Sequence, residues 1–142
     1  MKIKLISFRD SLILPDRAHY NDAGLDCFAQ EDFELGFQGT ALNNDVVLVP
    51  LGFGLEIPDG YMATIRPRSS MNMKGIITQI GTIDSGYRGE IKAVFVNPTM
   101  QEFSFKKGDK ICQIVVEPVV LAEPVLELEN DRGTGGFGST GR

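Results

Sequence analysis

Four clusters of polar side chains and one glycine-rich segment could do chemistry on a charged ligand. Residues 132–142 read Arg132-Gly-Thr-Gly-Gly-Phe137-Gly138-Ser-Thr-Gly-Arg142, five glycines around one aromatic ring. Glycines let backbone N–H groups close on phosphate oxygens, and an arginine supplies a planar, bidentate fork. Phe137 offers a π face to a base. Upstream, Pro67-Arg68-Ser69-Ser70 can open a helical turn, which would aim N–H groups, hydroxyls and a guanidinium at one anion. In residues 81–90, GTIDSGYRGE, apolar runs flank a turn with one carboxylate, Asp84, and one aromatic, Tyr87. Asp84 could take a proton from water, and Tyr87 could stack on a sugar or base. Asp26 enters an apolar strand, and Gln113 interrupts another.

Each segment taken alone also reads as ordinary structure: a Gly/Ser-rich tail, an N-cap beside a solvated arginine, a hairpin turn, two satisfied core polar residues. Taken together they supply two arginine-bearing anion sites, a poised carboxylate and two aromatics, without a histidine or cysteine nucleophile. That set suits water attacking a phosphorus centre whose charge a metal ion on the ligand helps to neutralise.

Composition narrows the alternatives. A chain of 142 residues, 42% of them hydrophobic, suits one domain with one core. A net charge of −5 argues against non-specific binding to a nucleic-acid backbone, though local arginines still admit a polyphosphate. His19 is the single histidine and has no ligand partner at metal spacing, which disfavours zinc and a Ser-His-Asp triad. Cys27 and Cys112 lie in apolar runs and are expected to be buried free thiols, in keeping with a cytoplasmic compartment. No run approaches the roughly 18–20 apolar residues that span a bilayer, so no membrane association is expected.

The elements that must position these groups read as strands. Residues 2–7 alternate polar and apolar, and further β-rich runs occupy 25–29, 46–49, 53–57, 61–65, 76–80, 90–96, 102–105 and 111–121. Pro58-Asp59-Gly60 is a turn between two such runs and suggests a hairpin. Ser69-Ser70 can cap a short helix over 71–74, ended by Gly75. Residues 36–45 read as a loop. The pattern is all-β, a sandwich, jelly roll or barrel. Beyond Leu128 the apolar pattern stops, which divides the chain into a body, 1–128, and a glycine-rich arm, 129–142. That arm buries too little to order itself and needs a ligand to pin it.

The order and wording of Ala23-Gly-Leu-Asp26, Pro67-Arg-Ser-Ser70, Gly81-Thr-Ile-Asp-Ser-Gly-Tyr-Arg-Gly89, Gly108-Asp-Lys-Ile-Cys-Gln113 and Arg132-Gly-Thr-Gly-Gly-Phe-Gly-Ser-Thr-Gly141 resemble the five motifs of the trimeric dUTP diphosphatase (dUTPase) family. The resemblance implies a distorted jelly-roll β-barrel, a homotrimer with shared sites, and hydrolysis of dUTP to dUMP and diphosphate. It implies that Asp84 activates the attacking water and that Tyr87 packs on the deoxyribose. Backbone groups from Gly81, Thr82 and Ile83 to Lys92 would read the uracil. Arg68, Ser69, Ser70 and Gln113 would hold phosphates, Arg132 would reach the γ-phosphate, and Phe137 and Gly138 would cover the base. Mg²⁺ would ride on the triphosphate, with Asp26 acting at most through water.

Small departures are Cys112, where the family often has alanine, Ser70 in place of a common glycine, and Gly86 where an acid or asparagine is frequent. The dCTP deaminases resemble part of this pattern, but their strand glutamate is matched here by Val94, and they lack the arm. A non-catalytic binding protein on the same fold is the rival from a different class.

Overall fold

The computed structural model describes residues 1–39 and 44–126. The arm, 129–142, and part of the 36–45 loop lie outside the described residues. Eleven strands and one helix are described: β1 Lys4–Ser7, β2 Leu25–Phe28, β3 Phe33–Leu35, β4 Val46–Pro50, β5 Phe53–Glu56, β6 Tyr61–Arg66, α1 Ser69–Met73, β7 Ile77–Thr78, β8 Gly81–Ile83, β9 Lys92–Val96, β10 Phe103–Phe105 and β11 Lys110–Pro118. They form four small sheets, ordered β1-β5, β10-β3, β2-β11-β6-β8 and β4-β9-β7, wrapped as a jelly-roll-like barrel.

One core closes the barrel. Alternation along β9 sends Ala93 and Phe95 inward, both 0% exposed, and turns Val94 and Val96 outward. Phe33 stacks on Phe105 at 4.7 Å between centroids and on Phe95 at 6.1 Å. Leu51, Phe53, Leu55, Met71 and Ile111 fill the space between. Cys27 and Cys112 are buried and free, and they stand opposite each other where β2 pairs with β11. No described helix is long and apolar enough to cross a membrane.

Three expectations need correction. The runs around Pro58-Asp59-Gly60 are not a paired hairpin. The turn itself forms, with Tyr61 N–H donating to the Pro58 carbonyl at 3.2 Å and Gly60 at φ +83°. The strands then diverge, because β5 pairs with β1 while the longer β6 takes β11 and β8 as neighbours. Ser69 and Ser70 are not caps but the first two helical residues. Arg68 is the N-cap, held extended at φ −96° and ψ 150°, with no side-chain cap bond. Extended dihedrals are usual for a residue in that position, and the Arg68 side chain turns away to pair with Asp26. Gly75, at φ +79°, ends the helix as expected. Finally, β3 and β8 are strands that the pattern did not announce, each of three residues.

Candidate active site

The run after α1 splits in two. β7 pairs with β9, and Gln79 N–H still donates to the Val94 carbonyl at 2.9 Å. The chain then leaves that sheet, and β8 joins β6 in the other. The two strands flanking Asp84 therefore belong to different sheets and stand apart. Between them lies a cavity of about 390 Å³, lined by Gly81, Thr82, Ile83, Asp84, Tyr87, Glu90, Ile91, Lys92 and Val94, with Leu48 and Ile65 behind. β8 is the last strand of its sheet, so alternate residues present N–H and C=O groups along its unpaired edge.

Asp84 sits on the rim, exposed, at the start of the turn. Its backbone carbonyl accepts from Tyr87 N–H at 3.1 Å. Among the described residues no hydrogen bond or ion pair reaches its carboxylate, which leaves both oxygens free for a water or a ligand. Tyr87 leans over Gly89, where an added Cβ would come within 2.5 Å of the tyrosine oxygen. Arg88 closes the turn by donating to the Ser85 and Tyr87 carbonyls.

The second cluster lies at the other edge of the four-stranded sheet. Asp26 on β2 accepts from Arg68 Nε at 3.0 Å and lies 2.9 Å from Lys110 Nζ. Arg68 also donates to Ser70 Oγ at 3.3 Å. Gln113, in register with Asp26 and with Arg66, donates to the Pro67 carbonyl at 3.0 Å. Gly24 makes room for it, since a Cβ there would fall 2.2 Å from Gln113 Oε1. Helix α1 leaves the N–H groups of Ser69 and Ser70 without intrahelical acceptors. The cluster thus offers two cations, free N–H groups and hydroxyls, an anion site in character. Strand order supplies the reason for the acid in β2: Asp26 neutralises and aims Arg68 and Lys110.

The structure brings Gly81, Thr82, Ile83, Asp84, Tyr87 and Lys92 to one cavity, and Asp26, Arg68, Ser70 and Gln113 to one cluster, with Ser69 beside it on α1. Within the four-stranded sheet Asp26, on β2, lies three strand spacings from β8, about 14 Å, whereas Gln113 on β11 and Arg68 just beyond β6 lie on the strands between. Arg132, Phe137 and Gly138 lie outside the described residues. Sequence reading missed Lys110 and Glu90. Lys110 was legible only as part of a turn, Gly108-Asp109, and no local signal pairs it with an acid 84 positions earlier.

Among the described residues, no three His, Cys, Asp or Glu side chains converge as a metal cage. An ion that arrives on a polyphosphate needs no such cage, because Mg²⁺ keeps its waters and takes one or two carboxylates at most. Asp26, already carrying two cations, fits that role through water.

The all-β barrel thus carries a cavity between the edge strand β8 of one sheet and β9 of another, together with a cationic cluster on Asp26. The family model for dUTPase matches residues 10–141. The deoxyuridine 5'-triphosphate nucleotidohydrolase of Clostridium acetobutylicum is 44% identical, over 99% of this chain and 96% of its own. That of Clostridium tetani is 40% identical, over 100% and 97%. The chain belongs to the dUTPase family. Among solved structures, the Staphylococcus bacteriophage 80alpha dUTPase with dUPNHPP superposes at a TM-score of 0.84 with 23% identity, covering 99% of both chains. A point mutant of the dUTPase from phage phi11 of S. aureus, described for its structural Mg(II) ion, superposes at 0.82 with 21% identity, over 92% and 99%. These two establish the likeness of fold.

Proposed function

We propose that this chain hydrolyses dUTP to dUMP and diphosphate, and so supplies dUMP for dTTP synthesis while keeping uracil out of DNA. The observation that carries the reading is the free Asp84 carboxylate at the rim of a slot whose back wall is an unpaired strand edge. A base entering the slot meets backbone donors and acceptors of Gly81, Thr82 and Ile83, which match the edge of uracil. Lys92 also lines the slot, and backbone groups from Gly81 to Lys92 would exclude the methyl of thymine. Tyr87 packs on the deoxyribose and excludes a 2′-hydroxyl.

With the nucleoside so held, Asp84 takes a proton from a water that attacks the α-phosphate in line with the leaving diphosphate. Arg68, Ser69, Ser70 and Gln113 hold the phosphates and stabilise the charge that builds on the leaving group. Mg²⁺ bound to the triphosphate supplies further charge neutralisation. The backbone carbonyl of Lys110, which accepts from Arg68 at 3.5 Å, helps keep that guanidinium in place.

Membership of the dUTPase family supports a homotrimer with shared sites. The cavity of one subunit then faces the cationic cluster of a neighbour. Arg132, Phe137 and Gly138 would close over the site, the arginine on the γ-phosphate and the ring on the base. The low net charge and the family membership suit a cytoplasmic enzyme without nucleic-acid or membrane partners.

A panel of dUTP, dTTP, UTP and dCTP with Mg²⁺ tests the reading, with diphosphate and ammonia measured separately. Diphosphate release from dUTP alone is the expected result. Ammonia from dCTP, or no turnover of dUTP, overturns it, the latter in favour of a non-catalytic binding role.

A further inference from the structure

The segment that carries Asp84 and Tyr87 returns to the barrel through one irregular contact. Leu51 N–H donates to the Ile91 carbonyl at 2.9 Å, and Ile91 N–H donates to the Phe53 carbonyl at 2.9 Å. Gly52 lies between these two bonds as an extra residue, at φ +82°. Its own N–H points back at the turn, where no backbone carbonyl takes it. The acceptor is a side chain, Glu90 Oε1, at 3.2 Å. A substitute at position 52 would be strained by the positive φ, and its Cβ, 2.8 Å from Leu12 and 2.9 Å from Arg9, would push those side chains aside.

The same residue holds the aromatic ring. Tyr87 O–H donates to the backbone carbonyl of Glu90 at 3.0 Å. The ring is 46% exposed, so packing alone does not fix it, and this one bond sets its tilt over the cavity. Gly54 completes the seat, since a Cβ there would fall 2.6 Å from the Gly89 carbonyl. A continuous path therefore runs from the Gly52 amide, through both ends of Glu90, to the tyrosine hydroxyl.

We propose that Glu90 is a positioning residue that sets Tyr87 against the substrate sugar and thereby fixes how strongly the site rejects a ribonucleotide. The proposal rests on the dUTP reading of this cavity. The side chain acts through its acceptor oxygen, not its charge, because its partner is an amide. Glutamine keeps a carbonyl oxygen at the same reach, and alanine does not.

The test is kcat/KM for dUTP and UTP, with the NMR signals of the Tyr87 ring, in the full-length protein. Glu90→Ala is expected to raise UTP turnover relative to dUTP by about five- to tenfold, the effect of one lost hydrogen bond. Glu90→Gln is expected to restore the ratio to within about twofold. In a Tyr87→Ala background, Glu90→Ala should add nothing, since both act on one ring. An unchanged ratio in Glu90→Ala, or an equal further change without Tyr87, overturns the proposal. Should Glu90→Ala fail to fold, Tyr87→Phe cuts the same path at the hydroxyl, and an unchanged ratio there also overturns it. The ring signals separate this proposal from the functional reading. They should shift or broaden in Glu90→Ala and recover in Glu90→Gln even if the protein turns over no dUTP. Ring signals that stay as in the parent protein in Glu90→Ala overturn the positioning role.

Discussion

The guanidinium of Arg68 is tied to the Asp26 carboxylate by a hydrogen bond of 3.0 Å that joins the residue before α1 to the strand β2. The carboxylate is only 16% exposed and also holds Lys110. One acid therefore aims two cations. Asp26→Asn should leave both without a counter-charge, lower stability by about 1–3 kcal/mol and raise the KM for dUTP about tenfold. Urea unfolding and steady-state kinetics on the same preparation check both values.

In the proposed reaction Asp84 acts through its free carboxylate, and being exposed it carries no part of the core. Asp84→Asn should cut kcat by about 10²–10⁴ while leaving the Kd of a non-hydrolysable dUTP analogue within a few-fold, with unchanged thermal unfolding. Calorimetric titration beside a diphosphate-release assay reads the two effects separately.

Gly24 is required by Gln113. Gly24→Ala places a methyl 2.2 Å from the amide oxygen and forces that side chain off the Pro67 carbonyl. The expected result is a raised KM with an unchanged ratio of dUTP to UTP turnover, because the proposed sugar contact, Tyr87, lies in the other cluster. A shift in that ratio would count against this division of labour between the clusters.

The hydrogen bond with Cys112, reinforced by burial, holds the Cys27 thiol well above its ordinary 9.0. A thiol whose folded pKa is raised adds stability that is complete below the unfolded value and is lost as pH rises through it toward the folded one. Unfolding free energy should thus fall above about pH 9, and Cys27→Ala should flatten that slope. In the native protein near neutral pH, Cys27 should resist alkylation until denaturant is added.

The arm gives the fifth prediction. A chain that stops after Leu128 should fold, with a Tm near that of the full protein, and lose most of its dUTP turnover. Differential scanning calorimetry and the release assay decide it, and loss of the fold would make the segment structural.

Much of this was legible in the sequence. The class, the turn at Pro58-Asp59-Gly60, the stop at Gly75 and the two buried thiols follow from residue type and spacing. Asp84 and Tyr87 stood out because an acid and an aromatic share one turn. What stayed hidden was set by partners far along the chain. β8 is three residues of ordinary composition, and only its pairing with β6 makes it a strand. The false hairpin at 53–65 arose because the turn chemistry was right and the choice of neighbour was not local. Lys110 and Glu90 do their work across 84 and 38 positions, beyond the reach of any window.

The splayed strands β8 and β9 carry one more implication, for how such a site drifts over generations. The wall that a base would meet is main chain, and main chain is the same whatever residue is encoded. Substitutions at Thr82 change a side chain that is exposed, not the edge presented to the slot. For selectivity toward the base, mutational damage is thereby concentrated at closely packed glycines, Gly52, Gly54 and Gly89 foremost, where an added Cβ would lie 2.5–2.8 Å from a neighbour. Along the β8 wall such a site should tolerate change in side chains and be brittle in the close-packed glycines that stand behind it.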